Sequence, residues 1–263
     1  MRKSLAVFAL SLSVILGLPL TASAAVEYRI TIDSVGDLIT PHRVLEVTVD
    51  GPRRRAEIQT PEKNPVAFNV FLADLDRRPD FTGVNTDLKT WWYPATPVAS
   101  VPSHGAGPMV DAVIKNLTVT SAEEADGEEI QGFATRKFVI RAAFGVAGGL
   151  SPERPFIRYQ MTMMVWTTDK LDAATAISAV SPSFRMPEVD AEITAKLKTV
   201  KGFPLRTVVA ASRAYEGGMP QNEVVTATVS EFRQVRATPH LFDVPDGYTK
   251  QQTTYGVPGV SGN

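Results

Sequence analysis

Cysteine is absent from this chain of 263 residues, and histidine occurs only at His42, His104 and His240. Without cysteine, the protein has no disulfide, no thiolate metal ligand and no cysteine nucleophile. None of the histidines stands in a metal-binding pattern such as H-x-H or H-E-x-x-H, and the serine-hydrolase motif G-x-S-x-G is missing. These absences predict a protein that is not an enzyme and that holds no metal or other cofactor.

An excess of charge of either sign is missing as well. The chain has 27 basic and 28 acidic residues. Residues 1–24 hold two of the basic residues and none of the acidic ones, so the remainder has a net charge of −3. This balance gives no electrostatic basis for binding nucleic acid. No pair of carboxylates is marked out from the others, as a glycoside hydrolase would require.

Only one long apolar run is present, at residues 5–20. It follows Arg2 and Lys3 and precedes Ala22-Ser23-Ala24, an order typical of a secretory signal peptide and its cleavage site. A membrane anchor is the alternative, but a spanning helix needs about 20 apolar residues, and this run is shorter and contains serine, glycine and proline. We therefore expect residues 1–24 to be removed, leaving a periplasmic or secreted chain without a transmembrane anchor.

Alternation of apolar and polar residues is the strongest positive pattern, because successive side chains of a strand point to opposite faces. The clearest case predicts a strand at 157–166. This strand is longer than the typical strand of about 5 to 6 residues, so it requires a large sheet around it. One side of this strand carries Ile157, Tyr159, Met161, Met163 and Val165. Similar alternation predicts strands at 26–33, 43–50, 53–59, 110–120, 132–144, 203–215 and 223–236.

Two helices are predicted after the long strand. Thr168 and Asp169 can cap free backbone N–H groups, and apolar residues from Leu171 to Val180 then recur at helical spacing. The second helix is predicted from Pro187, because apolar residues follow it at every fourth position.

Strands joined mostly by turns, with two helices inserted late, predict a mainly β fold of the α+β class. We expect one large curved antiparallel sheet with helices covering its concave face. A single domain is expected over residues 25–250, with a flexible tail at 251–263. The segment 96–108 is rich in proline and glycine and could link two domains. Too few strands precede it to close a separate core, so a loop inside one domain is expected.

Two clusters of charged residues stand out from this pattern. Arg53-Arg54-Arg55 could contact a polyanion, but basic residues beside the turn at Asp50-Gly51-Pro52 are more typical of a solvated strand edge. The acidic residues at 123–129 lack the ligand spacing of a calcium loop, so they are interpreted as a solvated hairpin tip.

Large apolar side chains are the candidates for a binding site. Methionine adapts to ligands of varied shape, and three methionines lie close together on the long strand. The adjacent Trp91 and Trp92 must face opposite sides of a strand, so one ring can reach a cavity. The alternative is that these residues simply fill a core. The cavity candidates are Trp91, Trp92, Phe138, Ile140, Tyr159, Met161, Met163, Val165, Leu171 and Ile177.

The order and spacing of four segments resemble an exported bacterial family that is similar to the periplasmic lipoprotein-carrier (LolA-like) superfamily. These segments are Gly132 to Phe138, Val165 to Leu171, Lys201 to Arg206 and Leu241 to Tyr248. The resemblance covers roughly Val110 to Lys250. It implies a half-open antiparallel β-barrel closed by helices over an apolar cavity. In relatives this cavity receives acyl chains of lipoproteins or lipids, or the domain is a sensor in envelope stress signalling. The family has no shared catalytic residues.

Three functional hypotheses follow. The first is a periplasmic carrier or sensor that binds a lipid or other apolar ligand between sheet and helices. The second is a structural or interaction protein of the cell envelope, with a filled core and a protein partner. A hydrolase is the third, and the missing motifs weigh against it.

Overall fold

The computed structural model describes residues 25–36, 42–59, 68–95, 99–101, 113–124, 127–147, 156–177, 180–182, 184 and 186–251. The predicted signal peptide lies outside the described residues, as does the predicted tail beyond Gln251. Within the described ranges, no helix is long and apolar enough to cross a membrane.

The described chain is mainly β, as the alternation predicted. Its strands are β1 Ala25–Gly36, β2 Arg43–Asp50, β3 Arg53–Ile58, β4 Val70–Asp74, β5 Arg78–Asn85, β6 Thr90–Ala95, β7 Ala99–Val101, β8 Val113–Glu124, β9 Arg136–Ala147, β10 Phe156–Thr168, β11 Val180–Pro182, β12 Phe203–Tyr215, β13 Gln221–Val235 and β14 Thr249–Lys250.

Twelve of these strands form one open sheet in the order β14-β6-β5-β4-β3-β2-β1-β13-β12-β10-β9-β8. Neighbouring strands are antiparallel except β14, which pairs in parallel with β6. The short strands β7 and β11 pair in parallel and form a separate two-stranded sheet. The predicted antiparallel sheet is therefore confirmed, and β10 is the long strand predicted from its alternation.

The first of the two predicted helices is wrong. The described residues after β10 form a 3-10 turn at Ala173–Thr175 and then the strand β11. The Asp172 side chain accepts a hydrogen bond from the Ala174 backbone N–H, which begins the turn. Side chains of the sheet form hydrogen bonds with backbone groups of this turn and of the residues after it. These tertiary contacts outweigh the local preference for a helix that the spacing of the apolar residues indicated. The second prediction is confirmed by α1, Pro187–Leu197.

One face of the sheet, which we call the inner face, carries most of the buried apolar side chains. The burial alternates along each strand, as the sequence pattern predicted, and the same core includes apolar residues from the segment between β10 and β12. Buried residues of the inner face include Tyr28, Ile30, Leu45, Val47, Phe138, Ile140, Tyr159, Met161, Met163, Val165, Leu205 and Val225.

A smaller apolar cluster covers the opposite face at β4 to β6. Val70, Leu72 and Val84 are buried there against Trp91 and the C-terminal segment. That segment contributes a 3-10 turn at Pro239–Phe242, followed by Val244 and Tyr248, and it ends in β14. It therefore shields one edge of the sheet, where unpaired backbone groups would otherwise be exposed.

Candidate ligand cavity

A cavity of about 370 Å³ lies between the inner face and the segment 171–202, which we call the cover segment. Small-molecule sites have volumes of about 300 to 1,000 Å³, so this cavity is at the small end of that range. At roughly 30 Å³ for each water-sized group, it has room for about 12 such groups. Its lining residues are Met163, Val165, Ala176, Ile177, Thr194, Leu197, Val200, Gly202, Pro204, Leu205, Arg206, Thr207, Ala227 and Val229.

Three neighbouring strands form the floor of the cavity. Val165 of β10 lies opposite Thr207 of β12, and Thr207 lies opposite Ala227 of β13. Directly opposed residues share one face of a sheet, so these side chains form a row across the floor. Thr207 and Ala227 are small, and the space above them is not filled by the cover segment. The floor is therefore built by the register of the strands.

The phenol of Tyr28 holds the cover segment near the cavity. Tyr28 is 1% exposed, and its hydroxyl donates a hydrogen bond to the Thr175 carbonyl over 2.9 Å. The same hydroxyl accepts a hydrogen bond from the Ile177 backbone N–H over 3.0 Å. Burial raises the pKa of Tyr28 above its ordinary value, so the phenol keeps its proton at neutral pH. One side chain thus satisfies two backbone groups that have no helical partner.

A buried arginine holds the neighbouring part of the cover segment. Arg54 is 6% exposed, and its guanidinium donates hydrogen bonds to the carbonyls of Ala174 and Gly51. Burial lowers the pKa of Arg54, although an arginine stays charged at neutral pH. The interpretation of residues 53–55 as a solvated strand edge is therefore wrong, because Arg54 is buried and β3 lies between β2 and β4 inside the sheet. Arg54 lies opposite Ala73 within the sheet, and the cover segment supplies its acceptor.

The remainder of the cover segment packs through aromatic and aliphatic contacts. The Phe184 ring lies edge-on to Phe144 and Tyr159, with ring centroids 5.0 and 5.7 Å away. Val189 and Ile193 of α1 are buried in the same core. Aromatic pairs of this kind contribute roughly 0.5 to 1.5 kcal/mol beyond their buried area. These contacts fix the cover segment on the side away from Tyr28.

Gly202 closes the cover segment against the end of β10. Its backbone φ is +87°, and a Cβ at this position would lie 2.9 Å from the Thr168 carbonyl oxygen and 3.2 Å from Asp169 Oδ1. Only glycine combines this backbone angle with so close an approach. Two of the segments that carried the family resemblance, at 165–171 and 201–206, are therefore in direct contact.

The structure brings three of the ten predicted cavity residues to the cavity. These are Met163, Val165 and Ile177. The other seven are packed elsewhere, and none of them lines it. The core of the inner face buries Phe138, Ile140, Tyr159 and Met161, and Leu171 is half-buried against this core. Trp92 packs against Phe68. Trp91 lies in the apolar cluster on the opposite face.

Sequence reasoning missed most of the lining. Leu205, Ala227 and Val229 lie on strands that were predicted correctly, but nothing in the alternation marks them as lining a cavity. Tyr28 and Arg54 were missed as contacts of the cover segment. A buried tyrosine is a signal that could have been used, because its hydroxyl needs a hydrogen-bond partner.

Among the residues that line the cavity, Arg206 is the one with a charged side chain. Arg206 is paired with Glu128 at 2.5 Å, and its guanidinium also lies 5.7 Å from the centre of the Trp166 ring. Asp169 is paired with Arg136 at 2.9 Å. Within the part of the chain that the structure describes, no group of three or more His, Asp or Glu side chains is placed to hold a metal ion.

No protein-family model and no curated protein matches the chain. Among solved structures, the chain is similar to an outer membrane lipoprotein-sorting protein domain from Vibrio parahaemolyticus, with 10% sequence identity and a TM-score of 0.30. The match covers 85% of this chain and 91% of that domain. An identity and a TM-score this low transfer no ligand or partner to this chain.

Proposed function

We propose that this protein is a non-enzymatic carrier or sensor of the cell envelope that binds an apolar chain in the cavity under its cover segment. The observation that carries this proposal is the 370 Å³ cavity, which has Met163, Val165, Leu205 and Val229 among its lining residues. Most of the lining side chains are apolar, so the transfer of an alkyl chain from water onto them is favourable. The predicted signal peptide supports export to the envelope.

The volume of the cavity predicts the length of the alkyl chain that it can hold. The cavity opens to solvent on one side, and its volume of about 370 Å³ corresponds to about 12 methylene-sized groups at about 30 Å³ each. Each buried methylene contributes about 0.8 kcal/mol, which corresponds to roughly a fourfold change in Kd. Straight-chain alcohols from 6 to about 16 carbons should therefore bind about fourfold more tightly per carbon and reach a plateau near 12. Titration followed by fluorescence or calorimetry measures this series.

A matched pair of variants links binding to this cavity. Thr194 and Ala195 are exposed neighbours on α1, but only Thr194 lines the cavity. Thr194→Trp should fill the opening and weaken binding of dodecanol at least tenfold, whereas Ala195→Trp should leave binding unchanged. Equal affinity in the two variants, or no binding of any alcohol to the wild-type protein, would contradict the proposed function.

An interaction protein of the envelope is the second candidate. It is favoured by exposed apolar residues at one end of the sheet, where Val35 is 76% exposed and lies opposite Val224, and Met219 is 88% exposed. Chemical cross-linking in cells through a cysteine introduced at Met219 tests this candidate. A specific cross-linked partner, together with an absence of alcohol binding, would favour it over the carrier.

A further inference from the structure

Lysines without a carboxylate partner flank the cavity on its cover side. The chain contains no aspartate or glutamate between residues 193 and 215, although this stretch holds three lysines and two arginines. It also supplies eight of the fourteen residues that line the cavity, including Thr194, Leu197 and Val200. The same segment therefore combines apolar contacts to a ligand with positive charge.

The geometry of α1 separates these lysines. An α-helix turns by about 100° per residue, so Lys198 lies about 40° from the cavity residue Thr194, whereas Lys196 lies about 200° from it. Lys198 is exposed, and its backbone N–H bonds back to Thr194, which shows that the helical turn continues to this residue. Lys198 is therefore on the cavity side of α1, and Lys196 is on the far side.

Lys201 adds a second positive charge to the same rim. It is exposed and stands between Val200 and Gly202, both of which line the cavity. Among the described residues, neither Lys198 nor Lys201 forms an ion pair. The nearby charges are already paired with each other, because Arg206 binds Glu128 and Asp169 binds Arg136. Because Arg136 is shared by Asp169 and Glu123, the four cations and three carboxylates around this rim leave about one positive charge uncompensated.

We propose that the ligand is a single-chain amphiphile with an anionic head group, whose chain enters the cavity while its head lies against Lys198 and Lys201. This inference rests on the proposed function. It names the head-group chemistry as a carboxylate or a phosphate monoester, both of which accept hydrogen bonds from an ammonium group. Ammonium groups at the surface bind anions mainly by charge, so the contribution falls as salt screens it.

Ligands that share one chain and differ in the head group test this inference. The wild-type protein is titrated with dodecanoate, dodecyl phosphate, dodecanol and dodecyltrimethylammonium, each below its micellar concentration. Two exposed ion pairs together should give about a tenfold tighter Kd for each anion than for dodecanol. The ammonium compound should bind more weakly than dodecanol. A preference for the carboxylate over the phosphate, or the reverse, identifies which of the two heads the site takes.

Matched variants locate the effect at the rim. Lys198→Gln combined with Lys201→Gln should remove the preference for anions and leave the Kd for dodecanol unchanged. Lys196→Gln should retain the preference, although it removes the same charge from the same helix. Raising the salt concentration from 0.05 to about 0.5 M should weaken the anions alone, because the Debye length falls below about 5 Å.

The possible outcomes separate this inference from the proposed function. Equal affinity of wild type for all four ligands would overturn the anionic head group and leave the carrier in place. No binding of any ligand would overturn both. If the double variant lost binding to phosphatidylglycerol vesicles while its Kd for dodecanoate stayed that of wild type, the lysines would contact a membrane surface, and the inference would be wrong.

Discussion

Replacing Tyr28 with phenylalanine tests how the cover segment is held over the sheet. The change keeps the ring, which packs edge-on against Phe203 at 5.5 Å, and removes only the hydroxyl. The Thr175 carbonyl and the Ile177 N–H then lose their partner. The Ile177 N–H is buried, whereas the Thr175 carbonyl is only partly buried. Loss of the partner of the Ile177 N–H should therefore account for the larger part of the decrease in the free energy of unfolding.

The magnitude follows from these two groups. A buried group left without a partner costs about 1 to 3 kcal/mol, and a typical hydrogen bond contributes about 0.5 to 1.5 kcal/mol. We therefore expect Tyr28→Phe to lower the free energy of unfolding by about 3 kcal/mol. For a chain of this size, each kcal/mol shifts Tm by about 2 to 4 °C, so the expected fall in Tm is about 6 to 12 °C.

Urea unfolding measures this difference, with an unchanged m-value as evidence that the unfolded state is not altered. Tyr248→Phe is the matched control, because its hydroxyl reaches the Thr86 carbonyl only at 3.5 Å and the side chain is half-buried. It should cost less than about 0.5 kcal/mol. Hydrogen exchange at residues 173–177 should accelerate in Tyr28→Phe alone. Equal stability of the two variants would refute the assigned role of the Tyr28 hydroxyl.

Two further predictions concern a glycine and a carboxylate. Gly202→Ala should lower Tm by more than Gly51→Ala does. Both glycines have a positive φ, but only at Gly202 would the added Cβ lie within 3 Å of Thr168. An equal fall in Tm for the two variants would contradict the close approach. The hydrogen bond with Glu27 raises the pKa of Glu46, so its contribution to stability is present at acidic pH and is lost as pH rises through the raised pKa. Glu46→Gln should therefore raise Tm at pH 7 and give no advantage at about pH 4, near the ordinary pKa of glutamate; a variant that is less stable at pH 7 would show that the Arg233 ion pair dominates.

The sequence by itself determined the long strands and their faces, whereas β4, β5, β7, β11 and β14 were not predicted. Period-2 alternation is a local pattern that directly reports which side of a strand is buried. For that reason β10 and β12 were predicted close to their observed bounds, and Met161, Met163 and Val165 share one face as expected. The same rule separated Trp91 from Trp92, which lie on opposite faces of the sheet.

The tertiary structure decided where an empty space remains. A cavity forms where facing residues are too small to fill the distance between two layers, and this depends on registers and on contacts between distant residues. Thr207 and Ala227 meet under the cover segment through strand pairing, and Tyr28 and Arg54 bind backbone groups about 120 to 150 residues away. Where the helix was predicted, the described residues form a 3-10 turn and the start of β11. The alternation fixed the apolar face, and only the folding of distant segments onto it determined which part of that face stayed open.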